Sequence, residues 1–180
     1  AFVPSTQLPM WQDGMPTTQD GFYDLDQIIN GLQPSNLYIL AARTSMGKTA
    51  CGLQVGKFIA QSHHNAAVVI FSLEMSKEQL IYRLLSSTAR INSNNLRQGN
   101  ITQSDFVRLL EVADELSHLP LYIDDSSSLS SQDIKKRCLQ VLQSTPIQLI
   151  IIDYLQLIRL EKRSENRQQE VTQIVNDLKG

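Results

Sequence analysis

Three stretches of this chain combine residue types that could do chemistry. The first is Arg43-Thr44-Ser45-Met46-Gly47-Lys48-Thr49, set between an apolar run, Leu37 to Ala42, and a helical pattern with Val55, Phe58 and Ile59 on one side. A loop closing onto a helix N-terminus aims backbone N–H groups and the positive end of the helix dipole at one point, which suits a polyphosphate. Gly47 lets the backbone approach without a side chain in the way, Lys48 can reach the β and γ phosphates, and Thr49 can offer its hydroxyl to Mg²⁺. Ser45, Met46, Gly47, Lys48, Thr49 and Ala50 are therefore the candidate ATP-binding residues. Ala42 stands where the general pattern has Gly. Gly-Lys-Thr alone is weak, and a plain strand-to-helix turn is its alternative; a strand before and a helix after give the motif its meaning.

The second stretch is Phe71-Ser72-Leu73-Glu74-Met75, followed by Ser76. A carboxylate at Glu74 can face a bound γ-phosphate and accept a proton from the attacking water. Position alone serves equally a Glu that complements the dipole of the next helix. The third stretch, Leu149-Ile150-Ile151-Ile152-Asp153, is a Walker-B pattern: an acid at the tip of an apolar strand can hold Mg²⁺, a hard ion that prefers oxygen ligands. Asp124, after Leu121 to Ile123, competes for that role, and the longer apolar run favours Asp153. Gln156, in Tyr154-Leu155-Gln156, could hydrogen-bond the γ-phosphate or its water, although most loop glutamines are only solvated.

Positioning these residues requires strands that end where the motifs begin. Leu37 to Ala42, Ala67 to Ser72, Leu121 to Asp124 and Leu149 to Asp153 are apolar almost throughout, as strands covered on both faces should be. Helical stripes lie between and after them: Leu80, Ile81, Leu84 and Leu85; Phe106, Leu109, Leu110 and Ala113; Ile134, Cys138, Val141 and Leu142; and Val171, Ile174, Val175 and Leu178. Ser76 with Gln79, Thr102 with Asp105 and Ser130 with Asp133 have capping-box spacing. Alternating strands and helices imply right-handed crossovers and a parallel sheet layered by helices, with ligands beyond the carboxyl ends of the strands. Residues 1–20, with Pro4, Pro9, Gly14 and Pro16 and no apolar period, are expected to be an arm or linker, with Trp11 as an anchor on its own or a neighbour's surface; residues 21–180 form the core.

Composition bounds the reading. The 180 residues are 42% apolar and 19% charged, enough for one ordinary core, and the net charge of -2 supplies no overall basic field for nucleic acid. Such binding must be local. Lys135, Lys136 and Arg137 are consecutive on a helix and fit a solvated face better than a phosphate track. Arg159, Lys162, Arg163 and Arg167 are better candidates, with a flexible charged loop as the alternative. Cys51 and Cys138 form no CxxC pair, Cys51 reads as a small buried helix residue, with a redox role as the alternative, and His63, His64 and His118 lack metal-ligand spacing. No apolar run is long enough to span a bilayer, so the expectation is a soluble, intracellular protein with no membrane partner.

In this order and spacing, ARTSMGKTA, FSLEMS, LYIDDSSSLS and LIIIDYLQLI closely resemble the RecA-like ATPase domain of the DnaB family of replicative DNA helicases, as does the opening GFYDLDQIINGLQ. The similarity runs from about Gly21 to Gly180, and FSLEMS and DYLQLI are more diagnostic than the phosphate loop. The resemblance implies an α/β, RecA-like P-loop NTPase fold with a mostly parallel sheet, incomplete at the C-terminus. It further implies a ring of six subunits that hydrolyses ATP with Mg²⁺ to move along single-stranded DNA and part the duplex, with a primase and a helicase loader as partners.

Carried over by motif, Lys48 and Thr49 belong to the nucleotide and its metal, Glu74 is the catalytic base, Asp153 the Walker-B acid, and Gln156 couples the γ-phosphate to DNA contacts. Thr44 stands where the family often has Pro, and Ala42 is familiar there. The family's N-terminal helical domain, later strands, DNA-facing loops and arginine finger have no counterpart in these residues, so a fragment is expected. Without that arginine, worth roughly 10³ to 10⁵ in rate in related NTPases, turnover is expected to be very slow. The uncovered sheet edge or helix face would invite self-association. A switch or filament protein that uses the same core without unwinding, or a catalytically silent assembly module, are the competing classes.

Overall fold

The computed structural model describes residues 23–29, 31–33, 36–43, 45–62, 65–159 and 167–179. Strand β1, Ala67–Ser72, is its axis: all six residues are buried, as a run with no polar alternation demands. It pairs in parallel with β2, Leu121–Asp124, on one side and β3, Ile147–Asp153, on the other, giving the order β2-β1-β3. The register sets Phe71 beside Asp124 and Ile152, and Ser72 beside Asp153, so the acid-bearing tips share one end of the sheet.

The two faces of β1 are covered by different helices. Ala67, Val69 and Phe71 pack with Ile134 and Cys138 of α6, Ser131–Leu142, and with Ile174 and Leu178 of α7, Arg167–Lys179. Val68 and Ile70 pack with Leu53, Ile59 and Ala60 of α2, Lys48–Ser62, and with Leu80 and Leu84 of α3, Lys77–Ala89. Helices on both faces of a parallel sheet are the doubly wound arrangement expected from the alternating pattern. The end of α3, α4 (Ser93–Gln98) and α5 (Gln103–Ser117) close a smaller cluster around Ala89, Leu109 and Val112. A short helix, α1, spans Tyr23–Ile29.

Three strands, the last helix's stripe and all three capping boxes match the sequence pattern; other expectations do not. Residues 36–43 form no ladder with the sheet, and Tyr38, Ile39 and Leu40 are exposed, so the expected first strand is absent among the described residues. An apolar run records a capacity for burial, but burial takes a neighbour, and no described element supplies one. On α3 the stripe narrows to Leu80 and Leu84, with Leu85 part-buried and Ile81 exposed. On α5, Phe106, Leu110 and Ala113 are exposed, and Leu109 and Val112 face inward. The helix turns toward α3 and its loop, which need only a narrow contact, so its broad apolar surface admits two solutions. The arm at 1–20 with Trp11, Thr44, Lys162, Arg163 and the side chain of Arg167 lie outside the described residues. No helix among the described residues is long and apolar enough to cross a membrane.

The α6 cap generates a prediction. The Ser130 hydroxyl and amide donate to Asp133 Oδ2 at 2.7 and 3.0 Å, and the Asp133 amide donates back to Ser130 Oγ at 3.1 Å. Those hydrogen bonds hold the Asp133 carboxyl below its ordinary value. Ser130→Ala is expected to lower the unfolding free energy by about 1 kcal/mol at neutral pH in urea titrations. Because the folded-state pKa of Asp133 is depressed, the part of the cap that needs its charge is complete above its unfolded value and lost as pH falls through the folded one, while the bond from the Asp133 amide to Ser130 Oγ is independent of that charge. The gap between parent and variant should therefore shrink in acid.

Candidate nucleotide site

The candidate phosphate loop is built by two left-handed residues. Ser45 has φ 65° and Gly47 φ 86°, and the Met46 amide donates to the Arg43 carbonyl at 3.2 Å, which folds the segment into a tight turn. A Cβ on Gly47 would meet no protein atom within 4 Å, so the backbone angle, not crowding by the protein, calls for glycine there. The Cys51 amide donates to the Gly47 carbonyl at 2.8 Å and opens α2. The amides of Lys48, Thr49 and Ala50 in the first turn accordingly have no intrahelical acceptor and are available to an anion at the mouth of the loop.

Helix α2 is held close against the sheet by small residues. A Cβ on Gly56 would lie 3.0 Å from Ile151 Cδ1 and 3.4 Å from Val68 Cγ1, and one on Gly52 would lie 3.6 Å from Ile151 Cγ2. That approach carries the start of α2 to the tip of β3. There the Thr49 hydroxyl donates to Asp153 Oδ2 at 2.5 Å, and Lys48 Nζ pairs with Asp153 Oδ1 at 2.8 Å. Lys48 Nζ also stands 4.2 Å from the centroid of the Tyr154 ring, a cation–π contact. The ladder continues one step past β1, where the Leu73 amide donates to the Asp153 carbonyl at 2.8 Å. Glu74, the next residue, is exposed just beyond this last rung.

The structure thus brings Lys48, Thr49 and Asp153 together and sets Glu74 beside the same strand end. Asp124 is placed elsewhere: its carboxylate takes hydrogen bonds from the Arg137 guanidinium and from the Ser126 amide at 2.9 Å. Burial is the largest single influence on Asp124 and raises its pKa, but the hydrogen bonds from Arg137 and Ser126 together outweigh it, and the net direction is down. Arg137 therefore leaves the solvated basic face on which the sequence places it, while Lys135 and Lys136 stay exposed. Gln156 is exposed in a 3₁₀ turn, Leu155–Leu157, and Met46 is 73% exposed. Arg159 is exposed, with its amide bonded to the Leu129 carbonyl at 2.8 Å. Cys51 is part-buried, and burial pushes its thiol up, away from thiolate chemistry.

Sequence reasoning missed Tyr154 as a partner of Lys48. The only available signal is an aromatic directly after a strand-end acid. It also missed the polar contacts that fix the turn around Glu74, for which the sequence gives only serines and an extra aspartate.

The profile of the DnaB-like helicase C terminal domain family matches residues 14–180. A replicative DNA helicase DnaB of Synechocystis sp. is 48% identical over 167 residues, covering 92% of this chain and 19% of that protein. A solved DnaB-like replicative helicase, described together with its interactions with primase, superposes with a TM-score of 0.81 at 31% identity, covering 88% of this chain and 38% of that one. A solved ATPase domain gives the same TM-score and identity, with 88% and 57% covered. The chain spans between 19% and 36% of the length of the curated replicative helicases it matches.

Thr49→Val keeps the side chain's shape and removes its only donor to Asp153. Without nucleotide, the variant is expected to lose about 1.5–3 kcal/mol of unfolding free energy, the range for a hydrogen bond to a charged group, in urea titrations. Unchanged stability would mean that the hydroxyl is not engaged by Asp153 in solution.

Proposed function

Because this chain belongs to the DnaB-like helicase C-terminal domain family, we propose that it is the nucleotide-binding core of a replicative helicase that couples ATP hydrolysis to movement on single-stranded DNA and duplex unwinding. The observation that carries the reading is the convergence of Lys48 and Thr49 on Asp153, 104 positions beyond Thr49 along the chain, at the mouth of a loop whose amides are available to an anion. An ammonium, a hydroxyl and a carboxylate meeting at a helix N-terminus are the parts a phosphate-bound nucleotide needs.

In this reading the amides of Ser45 through Ala50 cradle the phosphates and Lys48 turns from Asp153 toward the β and γ phosphoryl oxygens. Thr49 and Asp153 supply a hydroxyl and a carboxylate within hydrogen-bond contact of each other, and hard oxygen donors of this kind fit Mg²⁺. When bound, Mg²⁺ would offset the negative charge of the β and γ phosphates. Glu74 takes the proton of the attacking water as its oxygen bonds to the γ phosphorus and the bond to the β–γ bridging oxygen breaks, which leaves ADP and phosphate. Gln156, three residues past Asp153, reports the γ-phosphate to DNA-facing elements.

The same reading places the full-length protein in a homo-hexamer on single-stranded DNA, in the compartment where DNA is replicated. The solved relative described with primase supports a primase as partner, and the family resemblance supports a loader.

Titrating Mg-ATP against the parent and Lys48→Ala tests the site: the variant is expected to bind at least about tenfold more weakly, as loss of one charge-assisted contact implies. Equal affinity would remove the phosphate assignment. Glu74→Gln is expected to keep nucleotide affinity while hydrolysis falls by about 10² or more, the usual worth of a general base. Strand separation by the full-length protein on a forked substrate, with and without ATP, tests the motor. ATP hydrolysis without separation would favour an assembly switch.

A further inference from the structure

Glu74 lies on an exposed turn, yet a general base must sit within about 2.6–3.2 Å of the proton it takes. Something must hold that turn still. On one side it leaves β1, fixed by the bond from the Leu73 amide to the Asp153 carbonyl at 2.8 Å. Across it reaches Ser72, 2% exposed, whose Oγ donates to the Met75 carbonyl at 2.7 Å and accepts from the Met75 amide at 3.3 Å. One buried hydroxyl thus grips both polar groups of Met75 and closes a ring around Leu73 and Glu74.

On the far side the turn enters α3. The capping box ties the Ser76 amide to Gln79 Oε1 at 3.3 Å and the Gln79 amide to Ser76 Oγ at 3.4 Å. It leaves the Lys77 amide, at the first helical position, without an acceptor on its own helix. Asp125, from the segment after β2, accepts that amide on Oδ2 at 3.0 Å. Asp125 follows Asp124, which is held by Arg137 and by the Ser126 amide, and Arg137 also donates to Ser126 Oγ at 2.8 Å. The turn is therefore tied to the tips of both neighbouring strands.

We propose that Ser72 and Asp125 are positioning residues for Glu74: Ser72 by closing the turn from within, Asp125 by anchoring its exit to the β2 tip. The proposal rests on the reading of Glu74 as the base. A buried hydroxyl must be hydrogen-bonded merely to avoid a penalty, and an alanine would bury beside Phe71 with no such requirement. What the hydroxyl adds is geometry. Displacement of a reacting group by about 1 Å can cost as much as 10²-fold in rate, so loss of either tie should lower kcat with little effect on nucleotide binding.

The test measures single-turnover ATP hydrolysis and nucleotide affinity in the full-length protein for Ser72→Ala, Asp125→Ala, Asp125→Asn and Glu74→Gln, with each alanine variant also combined with Glu74→Gln. Ser72→Ala is expected to lower the hydrolysis rate about tenfold or more while affinity stays within about threefold. Asp125→Ala should fall in the same direction, and Asp125→Asn, which keeps an acceptor for the Lys77 amide, should recover most of the rate. In the Glu74→Gln background neither alanine should lower the rate further, because a residue that acts through Glu74 has nothing left to position. A loss that multiplies in that background, a matching loss of affinity, or an unchanged rate in the single variants would each overturn the positioning role while leaving Glu74 as base. An unaltered rate in Glu74→Gln would instead overturn the base assignment and this proposal with it. Should Ser72→Ala fail to fold, the Asp125 pair, at a part-buried position outside the core, carries the same test.

Discussion

The carboxylate of Asp153 accepts the Thr49 hydroxyl on one oxygen and the Lys48 ammonium on the other. Two constraints must hold for that contact to exist. A strand must deliver an acid to its own tip, and a helix must begin within reach of it. The first is met by β3, whose register against β1 sets Asp153 beside Ser72. The second is met by Gly52 and Gly56, which let α2 approach Ile151, Val68 and Ile70 at contact distance. A Cβ at Gly56 would need the tip of Ile151 or the helix itself to give by a few tenths of an ångström, so this position sets how closely α2 fits β3. The geometry of the candidate site therefore depends on apolar packing between α2 and β3.

Much of this was legible in the residues because several levels agreed. Ala67–Ser72 has no polar alternation and is buried on both faces. Ser76, Thr102 and Ser130 each have their partner three residues on, and all three close reciprocal capping boxes. A local signal of this kind needs no tertiary partner to be read correctly. Where the outcome turned on a partner, the residues were ambiguous. Leu37 to Ala42 is as apolar as any strand, but Tyr38, Ile39 and Leu40 find no ladder among the described residues. On α5 two overlapping stripes share Leu109, and the packing of α3 and α5 selected the one through Val112.

The candidate site shows the same division. Gly-Lys-Thr and the acid after Ile152 could be placed from spacing, since their roles derive from the groups that a loop and a strand tip present. Choosing between Asp124 and Asp153 could not be completed that way. What sets the two apart in the structure is Arg137, thirteen residues beyond Asp124, one turn and more into α6, where it donates to Asp124 and to Ser126. Arg137 stood in the sequence as one of three consecutive basic residues, and helix geometry sends neighbours in different directions. Of the three, Arg137 is the one directed at the β2 tip.

That pairing gives the sheet end a division of labour between its two aspartates. Asp153 presents its charge to Lys48 and Thr49, groups that can exchange it for other partners, since Lys48 keeps 29% of its side-chain surface in solvent. Asp124 is bound to a guanidinium and a backbone amide that have no competing role in the site, so its charge is structural. Because residues 36–43 form no ladder with the sheet, the candidate phosphate loop is located from its C-terminal side by the α2 hydrogen bond to Gly47, the packing of Gly52 and Gly56 on Ile151, and the Thr49 hydrogen bond and Lys48 ion pair to Asp153.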